Sequence, residues 1–264
     1  MSAVLDFKNV SVVRDGRYIL KDISWIVEPH QRWVILGPNG AGKTTMMQLA
    51  SVLIFPTSGT VSVFGEELGL TDVSDLRPRI GVSSAAMNDR IKPEELVLNV
   101  VRTAAFGMTG TWNEKYDSVD TGRAKKLLGD WGIAEFENRT FGSLSEGERK
   151  RTLIARSLMT DPELLLLDEP AAGLDIGTRE NLTRQLGEYA GDPSAPCSIL
   201  VTHHVEEIPP STTHVLMLKA GKTVVFGSID QVLNSENVSR TFSTDVTVDS
   251  KQTSFGRRWN AIVN

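Results

Sequence analysis

The sequence predicts an α/β fold: a mainly parallel sheet, with an N-terminal antiparallel β subdomain before it and an α-helical subdomain inserted into it. Three observations predict it. A glycine-rich loop, Gly37-Pro38-Asn39-Gly40-Ala41-Gly42-Lys43-Thr44 with Thr45 behind it, stands between a short apolar strand, Arg32–Leu36, and the start of a helix at Met46. Two further runs, Leu164–Leu167 and Cys197–Val201, are almost continuously apolar, as strands are when a parallel sheet is covered on both faces. Between about residues 87 and 150 the apolar spacing becomes helical, and no convincing strand falls inside that stretch.

From the N-terminus, Val10–Val13, Tyr18–Leu20 and Ile23–Val27 are rich in β-branched and aromatic residues, with turn residues at Asp15-Gly16 and Glu28-Pro29. They predict antiparallel strands that lead into the loop strand. Residues 43 to 53 are expected to be helical, and Thr57–Thr60 to turn into a strand, Val61–Phe64, that ends at Gly65. Leu96, Val97, Val100, Val101 and Ala104 predict one helix of the insertion, and Ala124, Leu127, Leu128 and Trp131 a second. Ser145 opens a long helix through Leu158, stopped at Asp161-Pro162. Val215–Leu218 and Thr223–Phe226 flank Ala220-Gly221-Lys222 as a hairpin, and beyond about residue 243 the polar tail carries no pattern. The expected organisation is one domain: residues 1–86 and 152–235 form the core with its β subdomain, 87–151 the helical subdomain, and 236–264 a short C-terminal tail.

The composition, 40% hydrophobic and 23% charged over 264 residues, is that of a globular chain with ample core. A net charge of −5 argues against a nucleic-acid partner. Cys197 is the only cysteine, which excludes an intrachain disulfide and fits a cytoplasmic location. No run of about eighteen apolar residues exists and the N-terminus lacks the pattern of a signal peptide, so any membrane role is expected to come through a partner chain. The five tryptophans, Trp25, Trp33, Trp112, Trp131 and Trp259, show no periodic stripe, and His30 and His214 read as packing or surface residues.

The loop carries the first chemistry. Its spacing is G-x-x-x-x-G-K-T, the P-loop pattern, in the strand–loop–helix context that this pattern requires. Glycines let backbone N–H groups and the positive end of a helix face anionic oxygens, so the stretch from Gly37 to Thr45 is expected to wrap a nucleoside triphosphate. Lys43 adds a charge for the outer phosphates and the Thr44 hydroxyl suits magnesium. Downstream, Leu164–Pro170 is an apolar strand ending in two acids, which places carboxylates at the C-terminal mouth of the sheet. Asp168 is suited to hold magnesium through water, and Glu169 to orient or deprotonate an attacking water.

With these residues, roughly positions 4 to 230 resemble an ATP-binding subunit of the ABC transporter superfamily. Leu144-Ser145-Glu146-Gly147-Glu148 is similar to that family's signature L-S-G-G-Q, with Glu146 in place of the first glycine and Glu148 in place of the glutamine. The resemblance implies that Ser145, Gly147 and Glu148 face the P-loop of a second copy, so that two ATP molecules lie sandwiched in a head-to-tail homodimer. Ala171-Ala172-Gly173-Leu174-Asp175 resembles the loop that crosses between the two sites, with Asp175 as its acid. Thr202-His203 resembles the switch histidine, which would contact the γ-phosphate; His204 is expected to point elsewhere as a structural residue.

Two departures stand out. Where the family carries a glutamine at the entry to the helical insertion, Ile80-Gly81-Val82-Ser83-Ser84-Ala85 offers Ala85, with Ser84 or water as the substitute. Where an aromatic residue usually stacks on adenine the sequence has Arg14, whose guanidinium plane or, instead, the Tyr18 ring takes that role. The implied activity is magnesium-dependent hydrolysis of ATP to ADP and phosphate, coupled to a separate transmembrane permease. The chain would then sit in the cytoplasm, peripheral on the inner face of the membrane. Its compactness resembles subunits of metal, siderophore or small-solute importers and of simple exporters. The alternative is an ATPase of the same superfamily not coupled to transport, which usually shows a fused second nucleotide domain, a coiled-coil insertion or a basic arm.

Overall fold

A computed structural model describes residues 2–111 and 116–264; Trp112 lies outside the described residues. The N-terminal strands β1 (Leu5–Arg14) and β2 (Arg17–Val27) pair antiparallel, and β3 (Arg32–Leu36) runs into the glycine loop and α1 (Lys43–Ala50). Then come β4 (Ser58–Val63), β5 (Glu66–Glu67) and β6 (Ile80–Ser83). The insertion contains α2 (Ala85–Asn88), α3 (Val97–Arg102), α4 (Ser118–Asp130) and α5 (Glu146–Ser157). The chain returns through β7 (Leu164–Asp168), α6 (Ile176–Gly191), β8 (Cys197–Thr202), β9 (His214–Lys219) and β10 (Lys222–Ser228). It ends with α7 (Ile229–Val232), α8 (Ser235–Phe242), β11 (Val246–Thr253) and β12 (Gly256–Val263).

The first sheet has the order β2-β1-β4-β5 and the central one β10-β9-β3-β8-β7-β6. In the central sheet all neighbours are parallel except β9 and β10. Its inner strands β3, β7 and β8 are mostly apolar because both faces are covered there. Successive side chains of a strand point to opposite faces, and the buried clusters divide accordingly. Trp33, Ile35, Leu164, Leu166 and Ile199 pack toward the β subdomain and α1, with Met46 and Leu49. Val34, Leu36, Leu165, Leu167 and Leu200 pack toward the helical insertion, with Leu153, Ile154 and Leu182. Each fully buried Leu or Ile contributes about 1.5–3 kcal/mol, so the two covered faces outweigh any local propensity in this sheet.

Register sets up the site. Leu36 lies opposite Thr202, Asp168 opposite Val201, and Ser83 opposite Leu167. The ends of β3, β8, β7 and β6 therefore open along one edge, and the residues that follow them gather there. His214 stacks on Trp33 at 4.7 Å and is a packing residue, whereas His30 is exposed at a left-handed turn.

Residues past 243, expected as a featureless tail, form the hairpin β11–β12. Val246 and Trp259 are buried against the sheet's helical side, and Arg258 donates to the backbone of Glu206 and Ile208 and pairs with Glu180 at 2.8 Å. The far end of the ribbon, Asp249, Ser250, Lys251 and Gln252, is exposed, which gives it a polar average. Cys197, at the start of β8, is buried and its thiol is pushed up to about 12 by desolvation. Thiolate is the reacting form, so Ellman's reagent at pH 8 is expected to leave the native protein unlabelled and to titrate one thiol per chain after denaturation.

Candidate nucleotide site

The loop keeps its shape through glycines at two kinds of position. Gly42 has φ 101° and precedes the first residue of α1; a Cβ there would also lie 2.6 Å from Leu20 Cδ2. A Cβ on Gly37 would lie 2.2 Å from the Leu218 carbonyl oxygen, so the loop enters pressed against β9. The loop thus carries Pro38, Asn39, Gly40 and Ala41 around to α1, whose first N–H groups have no intrahelical partner and face the concavity.

Lys43 lies under this loop, 5% exposed, and donates to the carbonyls of Gly37 at 2.8 Å and Pro38 at 3.1 Å. Its Nζ is 3.7 Å from Glu169 Oε1. Burial pulls the ammonium's pKa below its usual range, opposed by the charges of Glu169 and Asp168. Burial lifts Asp168 above the ordinary carboxylate range, with the charge of Glu169 adding to the rise, while Lys43 and a hydrogen bond from Thr44 oppose it. The Asp168 carboxylate and the Thr44 hydroxyl are hard oxygen donors side by side, and this donor set fits a magnesium ion.

Glu169 follows β7 with φ 48°, a left-handed conformation that costs a non-glycine residue about 1–3 kcal/mol and survives only where the surroundings over-determine it. Its N–H donates to Val201 O at 2.9 Å, and its carboxylate meets His203 Nδ1 at 3.0 Å. His203 in turn follows Thr202, whose hydroxyl donates to the buried Glu207 and accepts from the His204 N–H at 3.0 Å. His204 is exposed, but its ring leans on that of His203 with centroids 4.1 Å apart. The sequence expectation had His204 pointing elsewhere; the chain leaves β8 at Thr202, so strand alternation no longer governs it.

Lys43, Thr44, Asp168, Glu169 and His203 are thus brought together. Thr45 is buried in α1, and Arg14, exposed at the end of β1, reaches α1 by donating to Gln48 Oε1 at 3.0 Å. Tyr18 is 58% exposed under Lys21. Ser145, Gly147, Glu148 and Asp175 form a second group. Ser145 and Glu148 make a reciprocal capping box at the head of α5, with Glu148 Oε2 accepting from the Ser145 N–H at 2.7 Å. Glutamate serves this box as well as glutamine does. A Cβ on Gly147 would lie 2.5 Å from Thr178 Cγ2, and Asp175 caps α6 by accepting from Thr178 N at 3.0 Å. Hydrogen bonds from Thr178 hold the Asp175 carboxyl below its usual range. Among the described residues no hydrogen bond or ion pair joins this second group to Lys43, Thr44 or Asp168.

Sequence reasoning missed Lys150, which donates to the Glu169 carbonyl at 3.3 Å, and Glu207, which holds Thr202. For Lys150 the signal was its spacing from Glu146, one helical turn earlier. For Glu207 it was an acid in a segment rich in apolar residues.

Comparisons with known proteins bear on the family and the fold. A family model described as ABC transporter matches residues 20–172. The uncharacterized ABC transporter ATP-binding protein YlmA of Bacillus subtilis (strain 168) is 40% identical over 246 residues, covering 93% of each chain. Among solved structures, cbiO1 from Clostridium perfringens, described as part of the ABC transporter complex cbiONQ, matches with a TM-score of 0.75 and 25% identity. That match covers 91% of this chain and 94% of cbiO1. The ATP-binding cassette MJ0796, a dimer in a post-hydrolysis state bound to ADP and Pi, matches with a TM-score of 0.74 and 25% identity over 85% of this chain and 98% of its own.

Proposed function

The chain belongs to the ABC transporter family as an ATP-binding subunit, and from that we propose that it hydrolyses ATP at the Gly37–Thr45 loop and so drives a separate transmembrane permease. The observation that carries the reading is the meeting of Lys43, Glu169 and His203 at the sheet edge beside that loop. Loop amides and the Lys43 ammonium hold the triphosphate and offset charge that develops on the γ-phosphoryl oxygens. Thr44 and Asp168 would hold magnesium, which when bound neutralises charge on the outer phosphates.

Glu169 receives the proton of the attacking water as the new O–P bond forms and the bond to the β-phosphate oxygen breaks. His203 fixes the carboxylate during that step and turns to the γ-phosphate once it arrives. Lys43 and His203 both face Glu169, at 3.7 Å and 3.0 Å, so the carboxylate is held between the loop's cation and the histidine. Adenine lies against Arg14 or Tyr18.

No helix of the described residues is long and apolar enough to cross a membrane, and the membrane is reached through the permease, against which the helical subdomain docks. The second group of residues, led by Ser145 and Gly147, completes the site of another copy. Its separation from the first group within one chain supports a head-to-tail ATP-bound homodimer. The purified protein is expected to release phosphate from Mg-ATP at steady state and to stop on addition of EDTA. It is also expected to co-purify with a multi-helix permease from membranes. Absence of phosphate release, with and without membranes, would sink the reading.

A further inference from the structure

Two departures from the family's pattern, distant in sequence, meet in space. Glu146, at the first position of α5, and Ala85, at the first position of α2, line the same small cavity of about 50 Å³ together with Ser84, Lys150 and Asp168. Such a polar space admits ordered water. Lys150 occupies its wall: its side chain is 15% exposed, its Nζ is 3.8 Å from Glu146 Oε1 one turn earlier, and it donates to the Glu169 carbonyl at 3.3 Å. Its positive charge also acts on Asp168.

We propose that Lys150 is a positioning residue for hydrolysis: steered by Glu146, it fastens the left-handed turn at Glu169 and places a positive charge beside Asp168, on the side where Ala85 leaves room. The inference rests on the ATPase reading above. Its physical basis is that Glu169 sits at a conformation a glutamate rarely adopts and needs ties on both of its peptide groups. Val201 supplies one through the N–H; Lys150 and the Ala172 N–H supply the other through the carbonyl. Glu146 matters because an unpaired, partly buried ammonium on a long stem has other rotamers, and an acid one turn away on the same helix face narrows them. The head of α5 is thereby mechanically joined to the catalytic acid inside one chain, so that a shift of the helical subdomain is felt at Glu169.

The test compares steady-state phosphate release by the wild type, Lys150→Met, Lys150→Arg and Lys150→Gln. Lys150→Met is expected to lower kcat by about 10- to 100-fold, the range for residues that orient a reacting group through a second contact, with KM for ATP unchanged. Lys150→Arg, which keeps charge and donor, is expected to restore kcat to within about threefold. A Lys150→Met protein with wild-type kcat overturns the proposal. So does a loss that appears in KM instead of kcat, or one that arginine fails to rescue. Should Lys150→Met fail to fold, Lys150→Gln is read in its place: it keeps a donor but removes the charge and the pairing with Glu146, and an unchanged kcat there overturns the proposal, which requires that charge. An inactive wild type would sink the ATPase reading itself, whereas an active wild type with indifferent Lys150 variants sinks this inference alone.

Discussion

Glu169→Gln is expected to lower phosphate release by about 10²- to 10⁴-fold, the usual contribution of a positioned acid–base group, while ATP still binds. Glutamine has the same length and shape and tolerates the left-handed φ no worse than glutamate. It keeps a carbonyl for His203 and Lys43, which stand at 3.0 Å and 3.7 Å from the present carboxylate. What it loses is the capacity to take the proton of the attacking water. With closure permitted and hydrolysis blocked, the variant should accumulate as the ATP-bound dimer, and light scattering in Mg-ATP should give the mass of two chains. A variant that turns over normally removes Glu169 from the role assigned to it. A variant that is inactive but stays monomeric in ATP removes the sandwich.

Lys43→Ala is expected to weaken ATP binding by roughly 30- to 150-fold, equivalent to about 2–3 kcal/mol for hydrogen bonds to charged groups. The loss is large because the ammonium is already desolvated. It lies under the loop, bonded to two of the loop's own carbonyls, and surrenders little further hydration when a phosphate replaces them. Without it the neighbouring Asp168, already raised by burial, and Glu169 lose the cation that offsets them. Titration calorimetry measures the effect directly, and unchanged affinity would take Lys43 out of the binding site.

Much of this arrangement was legible in the residues. The P-loop, the L-L-L-L-D-E-P strand end and the Thr202-His203 step are local patterns, and register alone brings them to one edge. The capping box at Ser145 was equally local. Other parts were hidden for physical reasons. Strand β6 is short and contains Gly81, a poor strand former, because a Cβ there would come within 2.1 Å of the Ser157 carbonyl oxygen. The role of Lys150 depends on a contact with a residue 19 positions away. Helix α6 carries no strong apolar stripe because its buried face includes Thr183 and Gly187 beside Leu182 and Leu186. The hairpin β11–β12 alternates correctly at Val246, Val248, Trp259 and Ala261, but its outward residues dominate its average polarity.

That hairpin bears on how the protein is made. Arg258 braces the backbone at Glu206, 52 residues upstream and three residues beyond His203. At translation speeds of about 5–20 residues per second, some 3 to 10 s separate synthesis of the braced segment from arrival of its brace. The segment around Glu206 therefore gains this brace only once the C-terminal hairpin has been made.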